Sequence, residues 1–131
     1  MIQRIQSVYL LVTTLLLILF IMTASAANDF LLYYPKENML LLIMTFVIGG
    51  ITLLNIFQFN NRMRQITICR FLIVAILLLL IITFLRIEKT VPEFTILWGL
   101  YMLPAAIVSL ILAMRSIQRD EKVVRDMDRL R

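Results

Sequence analysis

The sequence predicts an all-α, polytopic membrane protein: an antiparallel bundle of four transmembrane helices with a cytoplasmic, amphipathic helical extension at the C-terminus. Three observations carry this reading. Four apolar runs, at about 8–27, 39–59, 66–85 and 94–114, hold a single charged residue among them, Arg70. Of the 131 residues 62% are hydrophobic, with a mean hydropathy of +0.96, whereas a soluble domain is about 45–50% apolar. The basic residues gather on one side of the four runs. Residues 1–114 are therefore expected to form the membrane domain and 115–131 a helical tail.

The third run is the clearest. Phe71–Leu85 carries no charge and only Thr83 as a polar side chain, and 21 residues separate Arg64 from Arg86. At about 1.5 Å per residue such a run extends roughly 30 Å, the thickness of a bilayer's hydrocarbon core. A backbone in lipid must satisfy its own N–H and C=O groups, so the run has to be helical. Arg70, near its start, can carry its guanidinium back out to water on its long stem. Cys69 beside it is expected to be a reduced, inert thiol.

The first run has the anatomy of a secretory signal peptide: Arg4, an apolar stretch, then Ala24-Ser25-Ala26. Its 20 apolar residues (8–27) exceed a usual signal core, so an uncleaved first membrane helix is expected. Thr13, Thr14, Thr23 and Ser25 fit there if their hydroxyls bond carbonyls one turn back. Asn28–Asn38 then reads as a turn with interfacial aromatics, Phe30, Tyr33 and Tyr34.

The second run, Met39–Phe59, places Gly49 and Gly50 at mid-depth, with Thr45 and Thr52 nearby and Asn55 and Gln58 toward its end. The connection Asn60–Arg70 holds Arg62, Arg64 and Arg70 and no acid. In the fourth run Trp98 and Tyr101 suit the interface, and Gly99 and Pro104 interrupt the helix. Pro104 removes the partner of the Leu100 carbonyl, so a kink is expected. Ala105, Ser109 and Ala113 recur at helical spacing as a close-packing stripe. Arg115–Arg131 continues without Gly or Pro. Ile117, Val123, Val124, Met127 and Leu130 share one face, and Glu121–Arg125 and Asp126–Arg129 can pair along the helix.

Orientation follows from the charges. Ten of the 13 basic residues, from Arg4, the second connection and the tail, lie on one side; Lys36, Arg86 and Lys89 lie on the other. The acids divide evenly. The Lys/Arg excess marks the cytoplasm, which puts both termini inside a bacterial inner membrane. The net charge of +5 then has anionic headgroups as its simplest partner, with no need of nucleic acid.

The chain contains no histidine and one cysteine. Haem ligation by histidine, a histidine base, a disulfide pair and a cysteine-rich metal site are excluded. No Asp, Glu, Lys or Arg falls within the apolar cores, where proton relays and substrate counter-ions usually lie. No catalytic residue, metal or cofactor is expected. Two sets of residues remain. Gly49, Gly50, Asn55, Gly99, Pro104 and Ser109 form either ordinary helix packing or a groove between the second and fourth helices. Arg62, Arg64, Arg70, Arg115, Arg119, Lys122 and Arg125 are candidates for contact with lipid headgroups or a protein partner.

The two ends, MIQRIQSVYLL and RSIQRDEKVVRDMDRLR, resemble those of a family of small four-helix bacterial inner-membrane proteins, known only as a domain of unknown function and found mainly in Bacteroidetes. The resemblance spans the whole chain. It implies four spans in a Gram-negative inner membrane and transfers no functional residue. Minimal loops, an amphipathic tail and missing catalytic groups together point to an accessory or scaffolding subunit among other membrane proteins. The alternative is a small carrier or lipid-binding protein that uses the groove.

Overall fold

In the computed structural model, which describes residues 2–58 and 60–131, four long helices account for most of the chain. They are α1 (Ile2–Met22), α2 (Met39–Phe57), α3 (Arg62–Thr90) and α4 (Trp98–Arg129). All four are long and apolar enough to cross a membrane. The 29 residues of α3 reach about 44 Å and the 32 of α4 about 48 Å, so both overrun a hydrocarbon core of about 30 Å.

The helix boundaries differ from the apolar runs in an instructive way. α1 starts earlier than residue 8 and stops at Met22 rather than continuing to Ala27. The reason lies in the backbone beyond it. Ala26–Ala27 forms β1, the central strand of a three-stranded antiparallel sheet, between β2 (Leu32–Tyr33) and β3 (Thr95–Ile96). Ala26 pairs with Tyr33 on one side and Ile96 on the other. Ser25 N–H donates to the Tyr33 carbonyl at 2.9 Å, and Leu97 N–H to the Ser25 carbonyl at 3.1 Å. Polar backbone past Met22 thus finds cross-chain partners that a further helical turn would forfeit. The same sheet takes Thr95 and Ile96 from the start of the fourth run, so α4 begins at Trp98 instead of Phe94. Strands of two residues are too short to show as an alternating pattern. Phe59, the expected end of the second run, lies outside the described residues.

Contacts along the helices set their directions. Gln6 meets Asp120, Tyr9 meets Ser109, and Ala24 meets Gly99; α1 and α4 therefore run opposite ways. α1 also packs on α2, and α3 packs on both α2 and α4. Helices α2 and α4 sit diagonally across the middle. The core is made of Leu10, Leu17 and Phe20 from α1, Leu41 and Ile48 from α2, Leu72, Ile76 and Leu79 from α3, and Leu103, Ala106, Leu110 and Ala113 from α4.

What lies outside is equally apolar. Phe46, Leu54, Phe71, Val74, Leu78 and Ile81 are exposed, while Thr13, Thr45, Thr52, Asn55, Thr83 and Ser109 are buried. Water would favour the reverse. The threonines satisfy themselves: the hydroxyls of Thr13, Thr14, Thr23, Thr45, Thr52 and Thr83 each donate to the carbonyl four residues earlier, at 2.6–3.0 Å. Ser25 departs from that expectation. It lies in the loop before β1, and its buried hydroxyl has no partner among the described residues.

Candidate interface at the arginine-rich end

Among the described residues, α2 and α4 are not among the helix pairs in extensive contact. Gly49 and Gly50 instead line an outward-facing cleft of about 390 Å³ between α1 and α2, together with Thr14, Phe46 and Leu53. A Cβ added at either glycine would meet nothing within 4 Å. Among the described residues, no other helix comes within contact of the point where a side chain would start at either position. Pro104 is exposed, and α4 continues through it.

Gly99 does what Gly49 and Gly50 do not. It is buried at the start of α4, and its N–H donates to the Ala24 carbonyl at 3.2 Å. A Cβ there would sit 2.5 Å from that oxygen. Ser109 is interhelical glue, its Oγ donating to the Tyr9 carbonyl at 2.8 Å. Such a bond within a membrane bundle is worth about 0.6 kcal/mol on average. The expected stripe of Ala105, Ser109 and Ala113 is off by one position: Ala105 is exposed and Ala106 is buried. A strict i, i+4, i+8 row drifts by about 40° per step on a helix of 3.6 residues per turn. The buried row follows mixed spacings of three and four instead, through Gly99, Leu103, Ala106, Leu110, Ala113, Ile117 and Asp120.

Extended to Asp120, that row carries the packed part of α4 well past Met114. The end of the molecule that holds both termini is accordingly built from four helices and is more polar than the sequence suggests. Asn55 and Gln65 form a reciprocal pair across the α2–α3 turn. Gln65 Nε2 donates to the Asn55 carbonyl at 3.1 Å, and Asn55 Nδ2 to the Gln65 carbonyl at 3.5 Å and to Cys69 Sγ at 3.3 Å. Next to this pair, Gln6 Nε2 donates to Asp120 Oδ2, and Arg62 Nη1 reaches the Asp120 carbonyl at 3.4 Å. A half-buried arginine, a buried amide and a buried carboxylate thus tie α1, α3 and α4 together at one level. Among the described residues, no group of three or more His, Cys, Asp and Glu side chains is placed to hold a metal ion.

The remaining arginines face outward. Arg64, Arg70, Arg115, Arg119, Lys122 and Arg125 are exposed. Arg62 and Arg64 occupy the first turn of α3, the positive end of its dipole, where each cation loses about 0.3–1 kcal/mol. Helix electrostatics therefore argue against that position, and stability does not account for it. Arg125 pairs with Glu121 at 2.7 Å, an exposed i, i+4 contact worth about 0.3–0.5 kcal/mol. Asp126 and Arg129 form no ion pair among the described residues.

The whole of this architecture falls inside one family match. Residues 2–130 match the model described as Domain of unknown function (DUF4293). The chain belongs to that family. No curated protein and no solved structure matches it. The DUF4293 match covers the membrane-length helices, the sheet and the tail alike, so the arginine-rich end is part of the family's domain and not an appendage to it.

Gln6, Gln65 and Asp120 are the members of this site that sequence reasoning missed. Asp120 looks like part of a solvated charge run, between Arg119 and Glu121. Its place on the three-and-four row that starts at Gly99 was the available signal. Gln6 and Gln65 stand at the polar borders of their apolar runs, where nothing separates a packed amide from a wet one.

Proposed function

We propose that this protein is a non-enzymatic, multi-pass protein of a bacterial inner membrane, serving as an accessory or scaffolding subunit of a larger membrane complex. Its four helices form an antiparallel membrane bundle, and both termini lie in the cytoplasm, as the Lys/Arg excess at that end favours. The observation that carries the subunit reading is the end of α4. Beyond Asp120 the helix leaves the bundle, and Val123, Val124, Met127 and Leu130 are 43–89% exposed. Ile117, one turn earlier, is fully buried. An amphipathic helix with apolar anchors at i, i+4 and i+7 suits a groove on another protein. Arg64 and Arg70 on α3 and Lys122 on α4 are exposed and supply charge for orienting a partner.

Purification of the full chain from its native membranes in mild detergent tests this. A stoichiometric companion is expected, and ending the chain after Asp120 is expected to release it while the helical content of the bundle persists. Migration of the intact chain alone, without such a companion, refutes the proposal.

A further inference from the structure

At the arginine-rich end, a cleft of about 540 Å³ lies between α1 and α4. Its lining changes character along α4. Leu112, with Tyr9 from α1, makes an apolar wall, Arg115 and Arg119 follow toward the end of the molecule, and Val123 and Ile5 close the far side beyond them. The two arginines are at i, i+4, so they rise from one face one turn apart. Both are exposed, and neither forms an ion pair among the described residues. Asp120 also borders the cleft, but it is buried and its carboxylate accepts from Gln6 Nε2. The negative group is thereby drawn into the bundle, and the cleft keeps two cations over an apolar wall.

We propose that this cleft holds one anionic glycerophospholipid, its phosphate between Arg115 and Arg119 and an acyl chain against Leu112 and Tyr9. From Leu112 to Arg119 the order of groups along α4 is the order along a lipid, with about 1.5 Å of rise per residue separating hydrocarbon from headgroup levels. A small soluble anion would leave the apolar wall uncovered. A zwitterionic lipid would bring its own cation to two arginines that form no ion pair among the described residues. The inference rests on the reading that this end meets a membrane surface, and does not depend on a protein partner.

The test uses the full chain, purified and delipidated, then reconstituted in phosphatidylcholine nanodiscs with phosphatidylglycerol as the minor lipid. Lipid retained by the protein is counted by native mass spectrometry. An arginine held directly beside a bound anionic headgroup is worth about 1 kcal/mol, or about five-fold. Arg115→Gln/Arg119→Gln is therefore expected to lower the phosphatidylglycerol preference about 30-fold, whereas Arg64→Gln/Arg70→Gln retains it. Leu112→Trp, which keeps both arginines and fills the apolar half, is expected to reduce retention as well. An excess of inorganic phosphate is expected to change nothing. Equal losses in the two arginine pairs, displacement by inorganic phosphate, or unaltered retention in Leu112→Trp would each overturn the proposal. The nanodisc contains no other protein, so this result and the search for a companion subunit fail or succeed separately.

Discussion

Gly99→Ala probes a close backbone contact between the start of α4 and the segment after α1. The new Cβ would stand 2.5 Å from the Ala24 oxygen, 2.8 Å from its carbonyl carbon and 2.9 Å from Thr23 Oγ1. Ordinary contact is about 3.5 Å or more, so α4 and the end of α1 must separate. Neither side yields freely. The Ala24 carbonyl accepts from Gly99 N–H, and the neighbouring Ser25 carbonyl accepts from Leu97 N–H. Overpacking of a fixed site costs about 1–3 kcal/mol, and alanine's better helix propensity returns at most about 1 kcal/mol. A net loss of about 1–2 kcal/mol is expected. Gly49→Ala and Gly50→Ala supply the contrast, because their added methyls meet nothing within 4 Å. Both should be stabilised by about 0.4–1 kcal/mol through the unfolded chain. Unfolding by sodium dodecyl sulfate in mixed micelles reads all three variants, by helical circular dichroism and by emission of Trp98, the chain's one tryptophan. Wild-type stability in Gly99→Ala, or an equal loss in Gly50→Ala, would refute the assignment of close contact.

Two further outcomes can be checked in the same micelles. Gln6→Leu removes the donor to the buried Asp120 carboxylate and should cost about 1–3 kcal/mol; the double variant with Asp120→Leu should recover part of it, and strict additivity of the two single losses would show that the pair does not interact. Tyr33 sits in β2, outside the spans, and burial raises its hydroxyl above the ordinary 10.0, with smaller opposing effects from Asn38 and Arg86. The folded state holds this proton more tightly than the unfolded chain, so the contribution is full below pH 10.0 and is lost as the pH rises through and beyond it. A stability profile that falls above that pH in the wild type and flattens in Tyr33→Phe is expected; identical profiles would remove Tyr33 as the cause.

The hydrophobic runs by themselves determined that the chain makes four membrane-length helices, because each must satisfy its own backbone and bury no charge. Charge position likewise marked one end of the molecule as basic, since Arg62, Arg64, Arg70 and the tail arginines can be read without knowing any contact. The self-bonding threonines were legible too, their partner being always four residues back. Contacts between distant residues were not. Periodicity says that a helix has a small-residue face but not which neighbour will meet it, so Gly49 and Gly50 looked as close-packed as Gly99. Only the tertiary structure put Ala24 against Gly99 and left the other two open. It also drew Ala26 and Ala27 out of the first helix into a sheet, and turned Asp120 from a solvated charge into a buried acceptor for Gln6. Those outcomes depend on which helices become neighbours, and in a chain whose outer and inner faces are both apolar, hydrophobicity cannot choose between the arrangements. Steric fit and a few hydrogen bonds choose instead, and they exist only once the helices have met.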